Sequence, residues 1–157
     1  MIHKSHNLKI AKTLALSTVL GISLANGANA AEALTVNLQA KQVVTENGKP
    51  VLKAVSRAKS GDVIQYQATY RNNLQKPMTN VALTIPVPAS MVYVSSSSPA
   101  PIQASLDGKK FENLPIMRKV NGKMVEVPAS QYRAVRWIVK TLPAQQSATV
   151  SINTKVQ

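Results

Sequence analysis

The chain has no cysteine, which excludes a disulfide, a thiolate nucleophile and a cysteine-ligated zinc centre. Its two histidines, His3 and His6, both lie in the first ten residues. From Asn7 to the end there is no imidazole, so a Ser-His-Asp triad cannot form and the commonest general base is missing. Acidic residues are few, six Asp and Glu against 19 Lys and Arg. Asp62, Asp107 and Glu46 sit in or beside turns, where Asp has a structural use because its carboxylate bonds backbone two residues on. Glu32 stands near the start, and Glu112 and Glu126 flank a hairpin. A paired-carboxylate site or a Ser-Lys dyad remains chemically open, but no spacing singles one out, and the expectation is a protein without catalysis. Calcium loops need closely spaced Asp, Asn and Glu, and no D-x-D spacing occurs. Met78, Met91, Met117 and Met124 are scattered and read as packing residues rather than a soft-metal site. No metal or cofactor is expected.

Long apolar runs are also missing. The longest, "TLALSTVLGISLA", covers 13 residues, short of the roughly 20 a membrane-crossing helix needs. It follows a stretch carrying Lys4, Lys9 and Lys12 and precedes "NGANA", with small residues at Ala28 and Ala30. A basic segment, a short apolar segment and an A-x-A site are the pattern of a secretory signal peptide. The expected division is therefore residues 1–30 as signal peptide, cut after Ala30, and residues 31–157 as one domain. The expected location is the periplasm, the cell surface or the extracellular space, with no transmembrane span in the mature chain. The mature chain keeps 16 basic and six acidic residues, a net charge of +10. A chain of this length buries about two-thirds of its unfolded surface, enough for a core without covalent staples.

What is present is a period of two. "LTVNLQA" sets Leu34, Val36, Leu38 and Ala40 on one face and Thr35, Asn37 and Gln39 on the other. "VIQYQATYR" puts Ile64, Tyr66, Ala68 and Tyr70 together. Val81, Leu83, Ile85 and Val87 repeat the pattern, as do Val135, Trp137 and Val139, then Ala148, Val150, Ile152 and Val156. Alternation of this kind builds antiparallel strands with one buried face. Asn47-Gly48, Asp107-Gly108 and Asn121-Gly122 are hairpin signals, since both central positions of a type I′ turn need positive φ. "SSSSPAP", Ser95 to Pro101, reads as a surface loop. The expectation is an all-β, immunoglobulin-like antiparallel β-sandwich of about seven to nine strands, rather than a barrel. Trp137 and the tyrosines are its large core pieces, and Phe111 covers one end of the core.

One combination of motifs goes further. Gly61-Asp62, Tyr70-Arg71-Asn72, Pro77, Asn80-Val81, the corner from Ile85 to Ala89, and Tyr93 together resemble the bacterial conserved-repeat domain catalogued as domain of unknown function, family eleven. "ASLDGKKF", "VNGKMVEVPASQYRAVRW" and "LPAQQSATVSINTKV" are similar to the same family, so the likeness runs from about Gln39 to the end. Ser90 and Gln145-Gln146 stand where that family usually has glycine, which implies different local turns in the same sandwich. The resemblance implies an immunoglobulin-like module of the cell envelope. It supplies no catalytic residues.

Positive charge is the remaining handle. It concentrates at Lys109-Lys110, at Arg118, Lys119 and Lys123, and at Arg133, Arg136 and Lys140. Arg136 and Lys140 alternate with Trp137 and Val139, the pattern of a solvated outer face. The same residues are the candidate contacts for an anionic polymer such as lipopolysaccharide or extracellular DNA, held by charge and not by sequence. No aromatic residue interleaves with them as base stacking on a single strand would require. The expected role is a non-catalytic structural and interaction module, binding an envelope or surface protein or polymer through a sheet edge or loops. The alternatives are a basic polyanion-binding domain, or a strand-exchanging subunit of a surface assembly in which "EALTVNLQAKQVV" completes a neighbour's sheet. The Asn47-Gly48 turn ties that segment to "VLKAV" and favours its staying at home.

Overall fold

A computed structural model describes residues 33–157. The segment read as a signal peptide, residues 1–30 with its cut after Ala30, lies outside the described residues. The described chain forms β1 (Leu34–Glu46), β2 (Lys49–Ala54), β3 (Val63–Asn72), β4 (Met78–Pro86), β5 (Met91–Ser98), β6 (Gln103–Ser105), β7 (Glu112–Asn113), β8 (Met117–Val120), β9 (Lys123–Glu126), β10 (Ala134–Leu142) and β11 (Ser147–Val156). Its one helical element is a single 3-10 turn at Ala129–Gln131.

Two antiparallel sheets face each other. The first has five strands in the order β2-β1-β3-β11-β5, the second four in the order β4-β10-β6-β7, and β8-β9 stands apart as a two-stranded ribbon. The expected seven to nine strands thus become nine in the layers and two more outside them. The alternating residues meet in the middle as the pleat requires. Ile64, Tyr66, Ala68, Tyr70, Val150 and Ile152 come from one layer, and Val81, Leu83, Ile85, Val135 and Trp137 from the other, all buried. The Trp137 indole N–H donates to the Pro99 carbonyl at 2.8 Å, which satisfies its one polar group.

Three polar residues are also fully buried, Asn72, Ser105 and Thr154. Asn72 continues the dry face of β3 and ties three segments together. Its amide nitrogen lies 2.9 Å from the Lys76 carbonyl, 3.1 Å from Leu142 and 2.9 Å from Pro143, while its oxygen accepts from the Leu74 N–H at 2.9 Å. Thr154 donates towards Ile64 O at 3.2 Å or the Met91 sulfur at 3.1 Å.

Several expectations need correction. Val36 and Leu38 share the inward side of β1, opposite Tyr70 and Ala68 of β3. They are nevertheless 48 % and 46 % exposed. The four-stranded layer ends at β4, which packs over β3 and β11, so the strands beyond β3 overhang. Ser95 to Ser98 belong to β5 rather than to a loop; Ser95 takes φ 55°, where the pairing with β11 shifts register. Asn47-Gly48 and Asn121-Gly122 are tight two-residue turns with φ of 51° and 76°, and 49° and 83°. Asp107-Gly108 is not, because only Gly108 takes positive φ. The Asp107 carboxylate instead accepts from the Lys109 and Lys110 N–H groups, both at 2.8 Å, and from the Ser105 hydroxyl at 2.9 Å. A longer loop results between β6 and β7.

Candidate functional site

The β8-β9 arm begins and ends in the core. Ile116 and Val127 are buried on either side of it, and the Val127 N–H donates to the Ile116 carbonyl at 2.8 Å. Between these two plugs all ten residues, Met117 to Glu126, are exposed. Two strands and the Asn121-Gly122 turn close the backbone bonds inside the arm, so it needs no sheet beside it. At its root the Arg118 guanidinium meets the Glu112 carboxylate of β7 with both nitrogens, one bond being 2.8 Å. This forked pair holds Glu112 below the usual carboxylate pKa through its hydrogen bonds. It braces the arm against the edge of the four-stranded sheet.

The register of the arm joins unlike side chains. Met117 faces Glu126, Arg118 faces Val125, Lys119 faces Met124 and Val120 faces Lys123. Every rung carries one apolar and one charged residue, and both faces of the ribbon therefore hold both kinds. Met117 is 37 % exposed, Val120 50 %, Met124 61 % and Val125 47 %. An unpaired ribbon that merely projects into water gains nothing from such residues. Four of the nine exposed large apolar side chains among the described residues lie on these ten.

The six basic residues picked out in the sequence fall into two groups. Arg118, Lys119 and Lys123 are on the arm, with Arg118 committed to Glu112 and Lys119 and Lys123 on opposite faces. Arg133 is exposed just before β10, and Arg136 and Lys140 point outward from β10. The structure also supplies an aromatic partner that the spacing did not show. The Arg136 guanidinium carbon lies 3.4 Å from the centre of the Phe111 ring, and its Nε donates to Thr84 Oγ1 at 3.1 Å. Phe111 therefore supports Arg136 on the outer face, instead of covering an end of the core. The signal that could have located it is the run Asp107 to Phe111, which folds back once Asp107 is latched.

A shallow cleft of about 340 Å³ opens at the foot of the arm, lined by Tyr93, Ser97, Pro101, Leu114, Glu126 and Tyr132 among others. The two tyrosine rings stack with centroids 6.2 Å apart and are buried, so neither presents a face. Tyr93 Oη bonds Ser97 Oγ at 3.0 Å and Tyr132 Oη donates to the Val127 carbonyl at 3.2 Å. Burial, with the neighbouring Glu126 second, pushes the Tyr132 phenol up, which keeps its proton in place. Glu126 is the one carboxylate in the lining, without a second acid to share proton transfer. No group of three metal-ligating side chains lies among the described residues.

The sheet edges are guarded. On β4 the Tyr70 hydroxyl crosses from the other layer, donating to Thr84 O at 2.6 Å and accepting from Thr84 N–H at 3.0 Å. Pro86 has no N–H, and Asn80 takes φ 52°, so the free side of β4 offers little continuous ladder. β2 carries Lys49, Pro50 and Lys53, β5 carries the irregularity at Ser95, and β7 is two residues long. These are the usual devices against strand addition. No helix among the described residues is long and apolar enough to cross a membrane.

No family model, no curated protein and no solved structure matches the chain.

Proposed function

We propose that the chain is a non-catalytic, exported interaction module of the bacterial cell envelope, and that it meets its partner through the β8-β9 arm. The carrying observation is that all ten arm residues are exposed while four of them are large and apolar. The leader pattern over residues 1–30 supports export. The two antiparallel layers, with crossings between them after β3, β4, β5 and β10, support an immunoglobulin-like sandwich. They also agree with the resemblance to the conserved-repeat family carried by Gly61-Asp62 and Tyr70-Arg71-Asn72. Guarded edges favour loops over strand addition. β1 is paired on both sides, with β2 and β3, which disfavours its leaving to complete a neighbour.

The test is retention of purified residues 31–157 on washed bacterial envelopes, with and without the arm substitutions Val120→Ser, Met124→Ser, Lys119→Gln and Lys123→Gln. Retention lost with the arm supports the reading. Turnover of an envelope polymer that disappears on changing one of Glu46, Asp62, Asp107, Glu112 or Glu126 overturns it.

A polyanion-binding role is a second reading, favoured by Arg136 and Lys140 pointing outward from β10 with Arg133 exposed just before it, and by Arg136 lying over the Phe111 ring. Binding of this kind falls steeply with salt. It would be lost on reversing those three charges and not on reversing Lys109 and Lys110.

A further inference from the structure

We infer that the β8-β9 arm docks on an anionic phospholipid bilayer, its tip setting Val120 and Met124 into the interfacial layer while Lys119 and Lys123 meet the lipid phosphates. This rests on the reading of the arm as the contact element, and it names the partner. The first support is the two-sidedness of the ribbon. Val120 shares a face with Arg118, Lys123 and Val125, whereas Met124 shares the other with Met117, Lys119 and Glu126. A flat protein surface would cover one face and leave the other apolar side chains in water. A lipid interface surrounds the tip and takes in both.

Size points the same way. A strand of four residues is about 13 Å long, so either face of the arm falls far short of the roughly 800 Å² per partner of a stable protein interface. Lipid docking needs no such area, because transfer of a few side chains out of water adds to the attraction of nearby cations for anionic lipid.

Charge is arranged by depth. Arg118 is neutralised by Glu112 at the root, and Glu126 is also at the root, opposite Met117. The two rungs next to the turn hold Lys119 and Lys123 with no acidic residue among them. The tip is therefore cationic and apolar, and the acids stay back from the surface it would meet. Lysine stems can lie along the apolar layer while their ammonium groups remain at phosphate level. Asn121 and Gly122 turn the chain within two residues and close the ribbon, so no open strand end enters the interface.

The experiment measures sedimentation of the folded chain with phosphatidylcholine vesicles and with phosphatidylcholine–phosphatidylglycerol vesicles. Binding to the anionic vesicles and not to the neutral ones is expected. Val120→Ser/Met124→Ser, which keeps every charge, should weaken it about tenfold or more. Lys119→Gln/Lys123→Gln, which keeps every apolar group, should weaken it ~10- to 30-fold. All four side chains are exposed, so thermal unfolding should match the parent for both variants. The indole introduced by Met124→Trp should be quenched by brominated phospholipid beyond the parent baseline set by buried Trp137. Serine variants that bind like the parent, an unquenched indole, or a chain that ignores anionic vesicles would each overturn the proposal. A chain that ignores vesicles and yet is held by envelopes through the arm would overturn this inference and leave the interaction-module reading standing.

Discussion

Asn72 and Asp107 show how single polar side chains organise this domain. Asn72 is fully buried, and its four contacts join the end of β3 to the turn after it and to the end of β10. Asn72→Ala strips the carbonyls and the N–H that meet it of their partner in a dry site. Unfolding by denaturant should show a loss of about 3 kcal/mol, within the range for breaking a buried network. Asp107 is exposed, and its role is local. The N–H groups of Lys109 and Lys110, followed by the Ser105 hydroxyl, lower its pKa to about 2. A depressed folded value means that the stabilisation is present above the unfolded carboxylate range and is lost as pH falls towards 2. Carboxyl NMR should give a midpoint near 2 for Asp107. The β6-β7 loop should keep its amide shifts at pH 4 and lose them on further acidification. The alternation of apolar and polar residues runs only as far as Tyr70, and Asn72 enters only through the Tyr70-Arg71-Asn72 motif, so its buried role was not legible. The Asp107 carboxylate bonding backbone two residues on was legible as turn chemistry. The longer loop it closes was not, because the dipeptide Asp-Gly also signals a tight hairpin, and only the two backbone N–H groups arriving from Lys109 and Lys110 decide between the outcomes.

At the scale of elements, period two located the strands because one face of each is dry. Ile64 to Tyr70, Val81 to Val87 and Val135 to Val139 were legible for that reason. Alternation reports which side a residue faces and not how far the opposite sheet reaches. Val36 and Leu38 therefore face inward and remain half exposed. Arm residues were harder to read, since Met117 to Glu126 have apolar and charged residues on both faces and no dry side. Tyr70 carries a second lesson about elements. Its hydroxyl occupies both backbone groups of Thr84 on the free side of β4, and burial raises its pKa, so it stays protonated. Tyr70→Phe opens that edge and strips a half-buried N–H and C=O of their partner. The expected cost is about 1–2 kcal/mol, together with concentration-dependent association seen by light scattering. A variant that stays monomeric at every concentration would show that Tyr70 is not an edge guard.

For the whole molecule, the two layers are complete without the arm. Their core draws on both sheets, while the arm adds only Ile116 and Val127 as anchors. On the proposed reading, stability and contact belong to different parts of the chain, as expected when a contact element must carry apolar groups that folding alone would bury. The absence of Cys throughout, and of His beyond His6, was the most informative feature of the sequence for function. A chain without imidazole or thiol over its described residues has few groups there that move protons or attack carbonyls near neutral pH. The same absence could not locate a contact surface, because that depends on which residues the fold leaves uncovered.

The most direct measurement pairs thermal unfolding with retention on washed envelopes, for the parent and for the fourfold variant Lys119→Gln, Val120→Ser, Lys123→Gln, Met124→Ser. The account predicts unfolding temperatures within about 3 °C of each other and a variant that washes off. Equal retention of the two proteins, or a sandwich that melts when its arm is changed, would contradict it.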